Sequence, residues 1–314
     1  MPSKPSSSED NFLFVAGSYE GGLVGIAFDP TSLTFEQLFG YQAHIGAVKT
    51  LAVRGRHLAT GGSDEVVHLY NVHSLVEAGG LSCHSSSVTS LSVLNNVLVS
   101  CSSEGELSVS EFKSGEWSTR LTAQAHKGSV TSSAIHPSGR LAVTVATDGQ
   151  LKMWDLMRGT CASVQSLASS TQQSSVLRAH ATSIALSPSG SCFALLFPNR
   201  VQVASFENDA KLCSVSGTYT AACMLSDELL IVGDSKGSIT VLKEGLVICS
   251  SNDSQDNHST RIKAICPLPN TSLIATACAQ GKIIVWRYHS EVLTMVAQTD
   301  SKVGRLTCFD VTAA

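Results

Sequence analysis

Apolar and polar positions alternate along most of this chain in short runs, and the runs come in pairs joined by turns rich in glycine and acidic residues. Residues 229–242, LLIVGDSKGSITVL, show the unit: Leu229 to Val232 is apolar, Gly233 to Gly237 is a turn, and Ser238 to Leu242 alternates apolar with small polar residues. That alternation is the period-two signature of a half-buried strand. The turn also reads G-x-S-x-G, a pattern that in serine hydrolases holds a nucleophile between a strand and a helix. A strand, not a helix, follows Gly237. The spacing therefore predicts a hairpin in which Gly237 supplies a positive φ and Ser235 is an exposed turn residue, not a nucleophile.

The hairpin recurs. Residues 58–70 and 141–154 each read as a strand, a turn with an acidic residue, and a second strand ending on an aromatic side chain. The same strand end falls at Ile26, Tyr70, Ser110, Trp154, Ala204, Leu242 and Trp286, with successive gaps of 44, 40, 44, 50, 38 and 44 residues. A period near 40–45 is that of a four-stranded WD-type propeller blade, so seven marks predict an all-β propeller of seven blades.

Polar residues keep the same register. His44, Thr60, Asp64 and Tyr70 are spaced 16, 4 and 6 apart, and His84, Ser100, Glu104 and Ser110 repeat those intervals. His126, Thr144, Asp148 and Trp154 give 18, 4 and 6, as do His258, Thr276, Gln280 and Trp286. In a blade of this kind the turn Asp accepts a hydrogen bond from the His, which is linked onward to a hydroxyl and an indole N–H, so every buried polar group has a partner. Copies spread over four blades cannot converge on one substrate or one metal ion. The histidines are read as structural tetrads, with no catalytic residue, no metal ligand and no cofactor assigned. The units ending at Ala204 and Leu242 have largely lost the set, and Lys236 stands where the latter would have its Asp.

The ends complete the ring. Residues 12–18 and 23–28 resemble the second and third strands of a blade that lacks its first, while residues 305–311 look like a lone first strand. Pairing them removes two open sheet edges and makes residues 12–314 one propeller, preceded by a disordered tail over residues 1–11. The Ser/Gln-rich stretch 163–175 lengthens one repeat and reads as an exposed loop between blades, as does 250–259.

Composition narrows the function classes. A hydrophobic fraction of 43% with 15% charged residues suits a globular protein. A net charge of −4 gives no overall attraction to nucleic acid or an anionic membrane, so any RNA contact has to be local. The ten cysteines show no C-x-x-C pair and sit mostly in apolar runs, as Cys192, Cys223 and Cys278 do, which points to thiols packed in a reducing compartment. The first residues carry no apolar signal region and no stretch is long and apolar enough for a membrane helix, so no membrane association is expected.

The run Ala125-His126-Lys127-Gly128-Ser129-Val130, then Ile135 to Ala142, Thr147-Asp148 and Trp154, resembles the Pak-kinase-interacting, Mak-type family of WD-repeat proteins. Thr60 to Glu65 with Tyr70-Asn71, and Gly304 to Cys308, are similar to that family as well. The resemblance implies a non-enzymatic scaffold: a nucleolar factor in large-subunit ribosome assembly, with pre-large-subunit proteins as partners and rRNA contacted at most indirectly. It implies as the alternative an adaptor that binds and restrains a p21-activated kinase, with a cytoplasmic location. A monomer is expected. Family members often carry a Lys-rich C-terminal extension, and this sequence ends at Ala314.

Register also predicts which residues line the partner-binding face. The positions three and five beyond each loop His, and the one before the turn acid, give Ala47, Lys49 and Ser63; Ser129, Thr131 and Thr147; and Arg261, Lys263 and Ala279. Lys49, Arg261 and Lys263, with Lys236 on the neighbouring blade, are the candidates for a basic rim facing RNA or an acidic protein segment.

Overall fold

Period-two alternation becomes β-strand throughout a computed structural model of the chain, which describes residues 11–74, 76–167, 180–207, 211–251 and 257–313. The strands in chain order fall into seven sheets. Strands β1 (Phe12–Ser18), β2 (Gly22–Asp29) and β3 (Thr34–Gln42) open the chain. Blade 1 is β4 (Val48–Arg54), β5 (His57–Gly62), β6 (Val67–Asn71) and β7 (Val76–Leu81). Blade 2 is β8 (Val88–Leu94), β9 (Val97–Ser102), β10 (Glu106–Lys113) and β11 (Glu116–Gln124). Blade 3 is β12 (Val130–Ile135), β13 (Leu141–Ala146), β14 (Gln150–Asp155) and β15 (Thr160–Ser166). Blade 4 is β16 (Ser183–Leu186), β17 (Cys192–Phe197), β18 (Arg200–Ser205) and β19 (Lys211–Ser216). Blade 5 is β20 (Tyr219–Met224), β21 (Leu229–Asp234), β22 (Ile239–Lys243) and β23 (Leu246–Ser250). Blade 6 is β24 (Ile262–Pro267), β25 (Leu273–Cys278), β26 (Lys282–His289) and β27 (Val292–Asp300). The last strand, β28 (Leu306–Ala313), joins β1 to β3 in the order β28-β1-β2-β3 and makes the closure blade.

Each first strand packs against the first strand of the next blade, from β4 through β8, β12, β16, β20 and β24 to β28 and back to β4, so the sheets close into a ring. The fold is a seven-bladed propeller. Among the described residues the apolar core divides into seven clusters, each shared by two neighbouring blades. The closure blade and blade 6, for example, share Phe14, Phe28 and Phe309 with Val285 and Ala275. Burying each such aliphatic or aromatic side chain contributes about 1.5–3 kcal/mol, so every interface between blades is a stabilising unit.

Ring closure follows the expected pairing. β1 runs antiparallel to β28 from Phe12 opposite Ala313 to Gly17 opposite Cys308. Gly17 must be glycine, because a Cβ there would lie 2.7 Å from Cys308 Sγ and 2.9 Å from Val48 Cγ1 on the next blade. All seven marked strand ends, from Ile26 to Trp286, lie in third strands.

Two loop expectations need correction. Residues 163–166 belong to β15, with Ser163 opposite Met153 and Ser166 opposite Gln150. An outermost strand is exposed along one edge and one face, so a polar composition suits it as well as it suits a loop. Ser250 likewise ends β23, and Ser251 is buried, its hydroxyl accepting from Ile239 N at 2.9 Å. Leu167 and Asn257 to Ser259 are also described, with His258 buried, while residues 168–175 and 252–256, and the tail over residues 1–10, lie outside the described residues.

Candidate interaction face

The His tetrads fix the geometry of one face. In blade 3, His126 Nδ1 lies 3.1 Å from Asp148 Oδ2, Nε2 lies 2.8 Å from Thr144 Oγ1, and Trp154 Nε1 donates to the same oxygen at 3.2 Å. Asp148 also accepts from the backbone amides of Lys127 and Gln150. Burial pushes the Asp148 carboxyl up, but those amides and His126 outweigh it and hold the group below the usual carboxylate range. In blade 1, His44 Nδ1 meets Asp64 Oδ1 at 2.8 Å and its Nε2 meets Thr60 Oγ1 at 2.9 Å. Tyr70 is buried there with its ring against Tyr41, at 5.7 Å between centroids. His68 lies edge-on to His44 at 4.7 Å, and its Nδ1 is 3.0 Å from Glu77 Oε1, so the two imidazoles are in ring contact while each has its own carboxylate partner.

The blade 2 set departs from the expected register. His84 Nε2 meets Ser100 Oγ at 2.8 Å, but its Nδ1 faces Glu106 Oε2 at 3.3 Å and not Glu104. Glu106 also accepts from Ser85 and Ser102. A Glu side chain is one methylene longer than Asp, so it reaches the imidazole from the first residue of the third strand instead of from the turn. In blade 6 the acid is gone. His258 Nε2 and Trp286 Nε1 each lie 2.8 Å from Thr276 Oγ1, while Gln280 Oε1 accepts from the Ser259 hydroxyl. His258 Nδ1 is buried with no partner among the described residues. Burial, with a contribution from Lys282, pushes this imidazole down to about 3.

The turn that holds Ser235 is a hairpin turn. Asp234 Oδ1 accepts from the amides of Lys236 and Ser238, both at 2.8 Å, and Gly237 has φ 96°. A Cβ at Gly237 would lie 2.2 Å from His258 O on the next blade. Ser235 is exposed.

The tetrads hold the second-to-third-strand turns against the loops that enter each first strand, and the central opening is lined by the starts of those first strands. One position there is a β-bulge, skipped in the pairing with the second strand: Lys49, Thr89, Thr131, Thr220, Lys263 and Thr307 all occupy it. A bulge re-aims a side chain. At the threonines the hydroxyl is returned to the framework: Thr131 donates to Val145 O and to Ala181 O of the next blade, and Thr220 donates to Ile262 O of the next blade at 2.7 Å. Thr307 donates to Gly17 O and to Val48 O, again across a blade boundary. Thr131, expected to face a partner, therefore has its hydroxyl engaged between blades.

Lysine replaces threonine at this position in blades 1 and 6, the two neighbours of the closure blade. Lys49 is exposed and Lys263 is half-buried. Burial and the guanidinium groups of Arg261 and Arg305 hold the Lys263 ammonium below its ordinary value. Arg261 is exposed, and Arg305 lies 5.1 Å over the ring of Tyr19. Among the described residues, the Lys and Arg ion pairs within 4.0 Å involve Arg54, Lys113, Arg120, Arg158 and Lys243, and none involves these four cations. The Glu20 carboxylate lies beside Gly304, the residue before Arg305. Ser63, Thr147 and Lys236 are exposed on turns of the same face.

Arg305 and Thr307 were not singled out by the register because the closure blade has no His from which to count. Aligning Leu306 with Val48 and Ile262 identifies them, with Arg305 in the place of Arg261 and Thr307 in the place of Lys263.

Comparison with known proteins agrees with the fold. The family model described as WD domain, G-beta repeat, matches residues 117–155 and 246–287. A p21-activated protein kinase-interacting protein 1-like protein of Gallus gallus is 30% identical over 311 residues, covering 95% of this chain and 79% of its own length. Shk1 kinase-binding protein 15 of Schizosaccharomyces pombe is 28% identical, covering 87% and 76%. Protein MAK11 of Saccharomyces cerevisiae is 24% identical, covering 96% and 84%. Among solved structures, one of U3-55K superposes with a TM-score of 0.69 at 14% identity over 84% of each chain. This chain belongs to the p21-activated protein kinase-interacting protein 1-like family of WD-repeat propellers.

Proposed function

We propose that the protein is a non-enzymatic scaffold that docks onto a pre-large-subunit ribosomal particle in the nucleolus through the cationic sector of its central opening. The observation that carries this reading is the group Lys49, Arg261, Lys263 and Arg305, which spans three adjacent blades and forms no ion pair within 4.0 Å among the described residues. Unpaired cations on a rigid frame recruit phosphate or clustered carboxylates. No catalytic arrangement is assigned: the imidazoles described above are committed to tetrads, and WD-repeat propellers act as a family through the surfaces they present. Affinity purification of the tagged protein, with and without ribonuclease, tests the proposal. Co-purification of large-subunit precursors supports it, and persistence after ribonuclease assigns the contact to protein.

The names of the relatives, kinase-interacting and kinase-binding, favour a second reading. In it the same sector engages an acidic stretch of a p21-activated kinase in the cytoplasm. Recovery of a kinase without ribosomal precursors distinguishes the two.

A further inference from the structure

At the junction of blades 4 and 5, on the face opposite the tetrads, lies a cavity of about 480 Å³. Val203 and Leu212 of blade 4 and Met224, Leu230 and Leu242 of blade 5 line it. The two blades touch at its outer side, where a Cβ on Gly245 would lie 2.9 Å from Cys213 Cβ. The volume falls in the range of pockets that hold small ligands and side-chain anchors.

Two features separate this cavity from an incidental gap. One lining residue, Leu212, is itself 54% exposed, and Leu246 and Val247, which follow the lining residue Gly245 in chain order, are 71% and 61% exposed. Large aliphatic side chains left in water beside an apolar cavity mark an interaction site. Three exposed carboxylates, Asp227, Glu228 and Glu244, stand on the rim. Asp227 is held by the Ser189 hydroxyl, and Glu228 is 4.0 Å from Lys243. Glu244 has no cation within 4.0 Å among the described residues. An apolar slot with an acidic rim matches one kind of peptide. Its anchor side chain fills the slot and its flanking Lys or Arg residues meet the carboxylates.

We propose that the junction of blades 4 and 5 is a docking groove for a short partner segment that carries an aliphatic or aromatic anchor between basic residues. It is independent of the cationic sector and of opposite charge, so one molecule can hold an anionic and a cationic partner on its two faces at once. That is the arrangement a scaffold uses to bring two components together.

The test is fluorescence anisotropy on the full chain with three short labelled peptides: a Leu-Leu pair flanked by Arg, the same flanks around Ala-Ala, and the Leu-Leu pair flanked by Glu. The Arg-flanked Leu peptide binds and the other two do not. Leu212→Glu weakens binding at least about tenfold, as loss of a central anchor does. Glu228→Lys combined with Glu244→Lys moves the preference to the Glu-flanked peptide, and Lys49→Glu changes nothing. The two Lys substitutions lie at exposed turn positions and keep the test intact if Leu212→Glu disturbs folding. The proposal is overturned if the first peptide fails to bind at about 1 mM, if flanks of either charge bind equally, or if the Glu228 and Glu244 changes leave the preference unaltered. A dimer in sedimentation velocity that Leu212→Glu converts to monomer also overturns it, by assigning the groove to a second copy of the chain.

Discussion

Exchanging Gln280 and Asp148 between their blades tests the tetrad chemistry in both directions. The two sets share His, Thr and Trp and differ in the turn residue. In blade 3 the His126 Nδ1–H donates to Asp148, and Nε2 accepts from the Thr144 hydroxyl. In blade 6 the Thr276 hydroxyl donates to Ile284 O at 3.2 Å, so His258 Nε2 carries the proton and Nδ1 keeps an unmatched lone pair in a side chain 3% exposed. Gln280→Asp shortens the side chain and places a carboxylate where Asp148 has one. The imidazole then changes tautomer and both nitrogens are matched. Leaving a buried polar atom unmatched costs about 1–3 kcal/mol, so Gln280→Asp should stabilise by roughly that amount, and Asp148→Gln or Asp148→Ala should destabilise by about as much. For a chain of this length, ~2 cal/mol/K per residue of unfolding entropy converts each 1 kcal/mol into about 1.5 °C. The assay is differential scanning calorimetry with urea unfolding as a check on m. A melting temperature that falls in Gln280→Asp, or that is unmoved in both Asp148 variants, refutes the reasoning.

His258 also contributes to the acid response. The folded pKa of His258, pushed down to about 3 by burial and Lys282, lies below the unfolded value near 6.5. The unfolded chain then takes up a proton that the folded chain refuses, so this stability is complete above about pH 6.5 and falls as pH drops toward 3, by about 2 kcal/mol at pH 5. Urea unfolding at pH 7.5 and 5 reads it, and the difference should shrink in Gln280→Asp; an unchanged difference contradicts the assignment. In blade 2, Glu106→Ala should cost about 1–2 kcal/mol while Glu104→Ala stays within about 0.5 kcal/mol, because Glu106 alone of the two faces His84; equal losses in melting temperature would count against this. Removing residues 306–314 exposes the β1 edge beside Phe14 and should yield aggregated protein, whereas a soluble truncation with the parental melting temperature would contradict the closure.

Much of this was legible because a propeller repeats one local problem. Each blade needs a buried His to find an acid at a fixed turn, and that requirement writes a spacing into the sequence, as at His44 and His126. The spacing could not say which acid is used when two glutamates lie near the turn, so it pointed to Glu104, whereas His84 faces Glu106 at the start of the third strand. Nor could it separate the outer strand β15 from a loop, since an exposed edge imposes little pattern. Register also proposed Lys49, Arg261 and Lys263 by counting from a histidine, and so passed over Arg305 and Thr307 in a blade without one. It also gave Thr131 to a partner, because the carbonyl that claims its hydroxyl belongs to the next blade, at Ala181. The groove between blades 4 and 5 left no signal because its walls come from two units that have lost the repeat's polar marks.

The scaffold account rests on the cationic sector. Its most direct measurement is gradient sedimentation of the triple variant Lys49→Glu, Arg261→Glu and Lys263→Glu, after circular dichroism has shown the propeller intact; Lys49 and Arg261 are exposed, where substitutions typically change stability by no more than about 0.5 kcal/mol, and Lys263 is half-buried. The account predicts that the parent travels with pre-large-subunit particles, that the variant stays at the top of the gradient, and that association of the parent weakens as salt rises. A folded variant that sediments with those particles as the parent does would contradict it.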